Sequence, residues 1–134
     1  MAVMLAFPLT ALAQSVLDGV DMTLPKMTEA QMTRDEVAAT LEAATQDEPA
    51  DFTRVWLNGL DLSGLDFSGA ILRATTLNGA NLAGSRFNGA TLSQAWMVGV
   101  DLTGASLVGA ELFQTQLSRS DLTNADFTSA RTAT

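Results

Sequence analysis

The chain has no cysteine, so disulfides, thiolate metal sites and cysteine nucleophiles are excluded. It has no histidine either, which removes Ser-His-Asp chemistry and imidazole metal sites. Tyrosine is also absent. Any catalysis would have to rest on carboxylates, Ser/Thr, Lys or Arg. Cations are scarce: seven Lys and Arg face fifteen Asp and Glu in 134 residues, a net charge of −8. No basic stripe is available to follow a phosphate backbone, so direct nucleic-acid binding is not expected. The excess is uneven, with −6 in residues 14–50 and only −2 in residues 51–134.

The one apolar run, MAVMLAFPLTALAQ at the start, is too short to span a bilayer, so no stable membrane insertion is expected. It lacks a basic n-region but closes on Ala11-Leu12-Ala13, a small-residue cleavage pattern. Residues 1–13 are therefore read as a signal peptide with Gln14 as the mature start. That implies a periplasmic or secreted protein. The alternative is a cytoplasmic protein whose apolar arm packs on the domain.

What the chain does have is a period. From Phe52 to Phe127 every fifth residue is large and apolar, sixteen times without a break. Nine of the ten glycines share one phase, two residues after such a position. A five-residue step reverses faces on a strand. On a helix it rotates the side chain by about 140°. A short straight run followed by a turn, repeated every five residues, puts all sixteen inside, because Gly supplies the positive φ of a type II turn. The exceptions set the size of a coil. Arg54, Ala74, Gln94 and Gln114 replace Gly at intervals of twenty, and Phe67, Phe87 and Phe127 share the same interval. Four five-residue sides per coil follow, with a different turn expected at the Arg54 corner. Sixteen repeats make four coils, about 19 Å tall at strand spacing.

Both ends of such an array need covering. Thr33-x-x-Glu36 reads as a capping box with Met32 and Val37 as a hydrophobic staple. Val37, Leu41 and Ala44 then line one face of a helix expected to end near Asp47-Glu48-Pro49. The bulkier Val55, Leu60 and Leu65 suit a wide first coil beneath it. Residues 15–24, centred on Leu17 and Met22, also fit the five-residue pattern and are read as a short extra strand. At the other end nothing follows Phe127 but RTAT. A bare final coil exposes strand edges. It should pair end to end with a second copy, unless the chain is shorter than its relatives. The division is 14–49 arm and capping helix, 50–131 repeat array, 132–134 tail.

Ala80-Asn81-Leu82, Val100-Asp101-Leu102, Ser120-Asp121-Leu122 and Ala125-Asp126-Phe127 resemble the A-(D/N)-L-x-x motif of the pentapeptide-repeat family. The resemblance covers residues 50–131. It implies an all-β right-handed quadrilateral β-helix, here with an N-terminal α-helical cap. It also implies a non-enzymatic protein without cofactor or metal, acting as a scaffold or protein–protein interaction module. Some members resemble B-DNA and bind DNA gyrase, which makes a cytoplasmic gyrase-binding mimic the alternative.

No catalytic, cofactor or metal site stands out. Trp56 and Trp96 take the outward position before a central residue, in one column two coils apart. With Val98 on the same face and Phe113 near the next corner, they form the candidate partner contact. Asp61, Asn81, Asp101 and Asp121 stack in another outward column. The favoured reading is that each side chain bonds its own turn amides rather than forming an acidic stripe. Arg73, Arg86, Arg119 and Arg131 have acids within reach across coils, but such surface pairs contribute only about 0–1 kcal/mol and the four are read as solvated surface.

Overall fold

A computed structural model describes residues 19–132. Residues 1–13 and Leu17, both singled out above, lie outside the described residues. From Asp51 onward each five-residue side contributes one bridging residue, and each bridge joins parallel segments twenty residues apart. Asp51 pairs with Ile71, Ile71 with Thr91, Thr91 with Glu111 and Glu111 with Arg131. The other three sides run Trp56–Thr76–Trp96–Gln116, Asp61–Asn81–Asp101–Asp121 and Asp66–Arg86–Ser106–Asp126. We call these sides 1 to 4, beginning with the Asp51 side. The ladder is regular: the Leu57 N–H donates to the Thr76 carbonyl at 2.7 Å, and the Thr76 N–H donates back to Val55 at 3.1 Å. The result is the expected four-sided β-helix of four coils.

The corners correct one expectation. The Ala80 N–H donates to the Leu77 carbonyl at 3.0 Å, and Gly79 between them has φ 69°. That is the type II pattern. Arg54, Ala74, Gln94 and Gln114 were expected to make a different turn, yet their φ values of 62°, 57°, 64° and 59° match the glycines. The reason is the ladder. The Ala74 N–H donates to Ser93 at 3.0 Å, as the Gly79 N–H donates to Val98 at 2.9 Å. Neighbouring coils hold the corner in the left-handed region whatever residue stands there, at about 1–2 kcal/mol for an L-residue. The interval of twenty is real, but it marks a corner that carries side chains, not a corner of different shape.

The central residues fill the prism, and Leu57, Leu62, Leu72, Leu77 and Leu82 are inaccessible to solvent. Phe67 and Phe87 stack with ring centroids 4.8 Å apart, one rung spacing, and Phe52 meets Phe67 edge-on at 6.0 Å. Where the small inward site is polar, its hydroxyl bonds a backbone carbonyl, in the preceding coil for three residues and in its own coil for Ser85, which donates to Leu82 at 2.5 Å. The Thr75 hydroxyl donates to the Phe52 carbonyl at 2.7 Å, Thr115 to Leu92 at 2.7 Å and Ser120 to Met97 at 2.7 Å. Among the described residues no buried side-chain nitrogen or oxygen lacks a partner.

Two helices precede the array: α1 (Pro25–Thr28), which lies beside side 2, and α2 (Arg34–Ala43), which covers the N-terminal end. The capping box is present. The Thr33 side chain accepts from the Glu36 N–H, and the Glu36 carboxylate accepts from the Thr33 N–H. Val37 is wholly buried in the core of the array, with Met32, Leu41 and Ala44 packed around it. Polar contacts close the exposed edge. Arg34 donates to the Asp61 and Ser63 carbonyls at 2.8 and 3.0 Å. The Gln31 N–H donates to the Trp56 carbonyl at 2.8 Å, and the Trp56 N–H donates to Gln31 Oε1 at 2.8 Å.

Two further expectations change at this end. Helix α2 stops at Ala43, before Asp47-Glu48-Pro49, and Ala44 is extended. The Thr45 hydroxyl accepts from the Glu48 N–H at 3.0 Å, a local bond that competes with further helix. Met22 joins no bridge among the described residues; the bridge at this end is the antiparallel pair Ala30–Leu57. Asp21 instead draws the backbone into a turn, accepting from the Thr23 N–H at 2.9 Å. At the opposite end Leu122 is 39% exposed. The Leu117, Leu122 and Phe127 N–H groups, whose counterparts in earlier coils donate to the next rung, have no backbone acceptor among the described residues.

Candidate contact face

Trp56 and Trp96 lie on side 2 in one column, each bridged to Thr76 between them. Two rungs separate them, about 9.6 Å. Both are half-buried, because residues 19–29 of the N-terminal arm run beside this side. Between arm and prism lies an open groove of about 670 Å³, whose walls include Trp56, Trp96, Leu24 and Met27. Val98, 7% exposed, contributes little surface. Phe113 stands apart at the corner between sides 1 and 2, half-buried, with the Arg131 guanidinium 5.9 Å from its ring centroid. The structure thus brings the two tryptophans together and leaves Val98 and Phe113 outside the groove lining.

The arm is held by residues that the sequence reading passed over. Asn58 and Asn78 occupy the corner between sides 2 and 3, twenty residues apart. The Asn58 amide donates to the Lys26 and Glu29 carbonyls at 2.9 and 2.8 Å, and its oxygen accepts from the Asn78 N–H at 2.8 Å. Asn78 repeats the pattern, donating to the Met27 carbonyl at 3.2 Å and accepting from the Val98 N–H at 2.9 Å. A side-chain amide suits this place because it offers both an acceptor for the next rung and donors for the arm. The available signal was the pair Asn58-Gly59 and Asn78-Gly79 in a single register. The same dipeptide at Asn88-Gly89 sits at another corner, where Asn88 accepts from Val108 at 3.1 Å.

The aspartates serve their own turns. Asp61 Oδ1 accepts from the Ser63 N–H at 3.1 Å and the Ser63 hydroxyl at 2.7 Å; Asp121 does the same with Thr123 at 3.0 and 2.6 Å. Asn81 accepts from the Ala83 N–H at 3.0 Å. The Ser or Thr hydroxyl first, and the backbone N–H second, hold Asp51, Asp61, Asp121 and Asp126 below the ordinary carboxylate range. Two arginines pair one coil back, Arg86 with Asp66 at 3.3 Å and Arg131 with Glu111 at 2.6 Å. Among the described residues no group of three or more Asp and Glu is placed to hold a metal ion.

Comparison with known proteins agrees with this geometry. The pentapeptide repeats family matches with 8 copies over residues 50–82, 66–104, 85–124 and 105–131. A pentapeptide repeat protein from the Arabidopsis thaliana thylakoid lumen is 34% identical, over 61% of this chain and 57% of its own, with a TM-score of 0.60. The match thus spans less than two thirds of that protein's length. A pentapeptide repeat protein from Nostoc PCC 7120 is 34% identical, over 66% of this chain and 73% of its own, with a TM-score of 0.59. Such proteins form right-handed quadrilateral β-helices. No curated protein matches the chain.

Proposed function

Because the chain belongs to the pentapeptide-repeat family, we propose that it is an exported, non-enzymatic interaction module whose contact face is side 2 with Trp56 and Trp96. The observation that carries this reading is the pair of tryptophans in one column beside an open groove. Elsewhere the prism spends its polar side chains on itself. The aspartates serve their own turns, and Asn58 and Asn78 anchor the arm. Trp and Met beside an open groove are the side chains on which interfaces concentrate their energy. Export is supported by the Ala11-Leu12-Ala13 pattern and by the lumenal location of the Arabidopsis relative. The charge favours this over a DNA mimic: residues 51–134 carry only −2, with five arginines among them, two of which, Arg86 and Arg131, stand in the outward columns with the acids. The exposed Leu122 end is the place where a second copy would pair.

The test is capture from the native compartment with wild-type protein beside Trp56→Ser and Trp96→Ser, together with N-terminal sequencing of the mature chain. Loss of the specific partner in both variants, with a mature Gln14 start, is the expected result. An unchanged partner set removes the contact claim. An intact Met1 recovered from cytoplasm removes the export claim.

A further inference from the structure

The groove beside the tryptophans differs in charge from the rest of the molecule. The chain carries −8, yet two of its seven cations, Lys26 and Arg54, line this one groove. Among the described residues neither is in an ion pair. Asp21 also lines the groove, its Oδ1 accepting from the Thr23 N–H at 2.9 Å, so the lining carries a net +1 in a chain of −8. Arg54 is held with φ 62°, where glycine would be unstrained. Side chains replace glycine on this corner in every coil: Arg54, Ala74, Gln94 and Gln114. Gln94 donates to Gln114 at 3.2 Å further along this corner, beyond Ala74 and outside the groove lining.

We propose that this groove binds a short extended segment of a partner protein in which carboxylate side chains flank an apolar one. The inference rests on the reading of Trp56 and Trp96 as contact residues. An apolar side chain between the tryptophans and Met27 leaves water. The flanking carboxylates meet Lys26 and Arg54. The two rungs from Trp56 to Trp96, about 9.6 Å, match about three residues of extended chain, room for one apolar residue and a neighbour on each side. A basic segment would set like charges against Lys26 and Arg54.

Trp56 and Trp96 are the only tryptophans in the chain, so intrinsic fluorescence reports on this groove alone. The test titrates the full chain with two short peptides, one alternating Leu and Glu, the other alternating Leu and Lys. The acidic peptide should bind at least about tenfold more tightly, and Lys26→Glu with Arg54→Glu should reverse the order. Trp96→Ser should weaken the acidic peptide's binding by at least about tenfold without changing the thermal melt. Equal affinity for both peptides, still lost in Trp96→Ser, overturns the charge inference and leaves the contact reading standing. Binding indifferent to Trp96→Ser overturns both. No binding of either peptide overturns the inference.

Discussion

Ala74 and Gly84 make a matched pair of perturbations. Both are corner residues of the second coil, with φ 57° and 66°. A Cβ added at Gly84 would meet nothing within 4 Å, so Gly84→Ala tests the backbone alone. The left-handed conformation costs an L-residue about 1–2 kcal/mol. Glycine's greater freedom in the unfolded chain offsets about 0.4–1 kcal/mol of that. Gly84→Ala should therefore destabilise by about 0.5–1 kcal/mol, and Ala74→Gly should stabilise by about the same amount. For a domain of this size that is a shift of about 2–5 °C in each direction, read by far-ultraviolet circular dichroism during heating. The double variant should return close to the parent, since the two corners lie on different sides and share no partner. If Ala74→Gly lowers the melting temperature as Gly84→Ala does, the corner does not hold alanine in the glycine conformation. The claim that the ladder imposes one turn on all corners is then wrong.

Asn78→Ala should cost about 1–3 kcal/mol, because it strips the buried Val98 N–H of its acceptor and the Met27 carbonyl of a donor. Faster limited proteolysis at residues 19–29, with the repeat array still intact, checks it. The pH dependence follows from the turn aspartates, whose folded pKa values are lowered by hydroxyl and then backbone hydrogen bonds. A lowered folded pKa gives stability that is complete above the unfolded value, about 3.9, and is lost as pH falls through the folded value. The melting temperature should stay level from about pH 7 to 5 and drop below about pH 4. Asp121→Asn should lower the melting temperature slightly at neutral pH, where the carboxylate contributes in full, and converge on the parent below about pH 4, so its acid response is weaker. Leu122→Lys should abolish concentration-dependent association seen by sedimentation, with a modest fall in the melting temperature, because Leu122 is 39% exposed and the rest of its surface is buried.

The array was legible because its period is enforced at every rung. A single misplaced Leu would put an apolar side chain on the outside, so sixteen in-phase residues specify the prism, and the interval of twenty specifies its four sides. The shape of the Arg54 corner is not legible from its residue type, because the ladder and not the side chain sets its φ of 62°. Glycine at a corner implies positive φ, but an arginine there does not deny it when Arg54 N–H must still reach Arg73 at 3.0 Å. The helix end was missed for a similar reason. Asp47, Glu48 and Pro49 are plausible stop signals, but a single hydroxyl bond at Thr45 acts first. The arm could not be placed from periodicity, because it is docked by Asn58 and Asn78 through carbonyls of Lys26, Met27 and Glu29 that carry no residue-specific signal.

The candidate site depends on the arm in a way the columns alone do not convey. On a bare prism Trp56 and Trp96 would be two exposed rings in a row, a surface open to any apolar partner. The arm sets a wall of Leu24 and Met27 opposite them and brings Lys26 to the rim, where Arg54 already stands. One wall is rigid, built from rungs bonded above and below. The other is tied through the amides of Asn58 and Asn78. Selectivity should therefore reside in the arm as much as in the tryptophans. Releasing the arm through Asn58→Ala combined with Asn78→Ala should leave a side 2 that still binds apolar groups but no longer prefers an acidic segment by more than Arg54 alone can supply. The acidic and basic peptides should then differ less in that variant than in the parent, with Trp96→Ser still abolishing both. A preference that survives loss of the arm would place the discrimination on the prism alone.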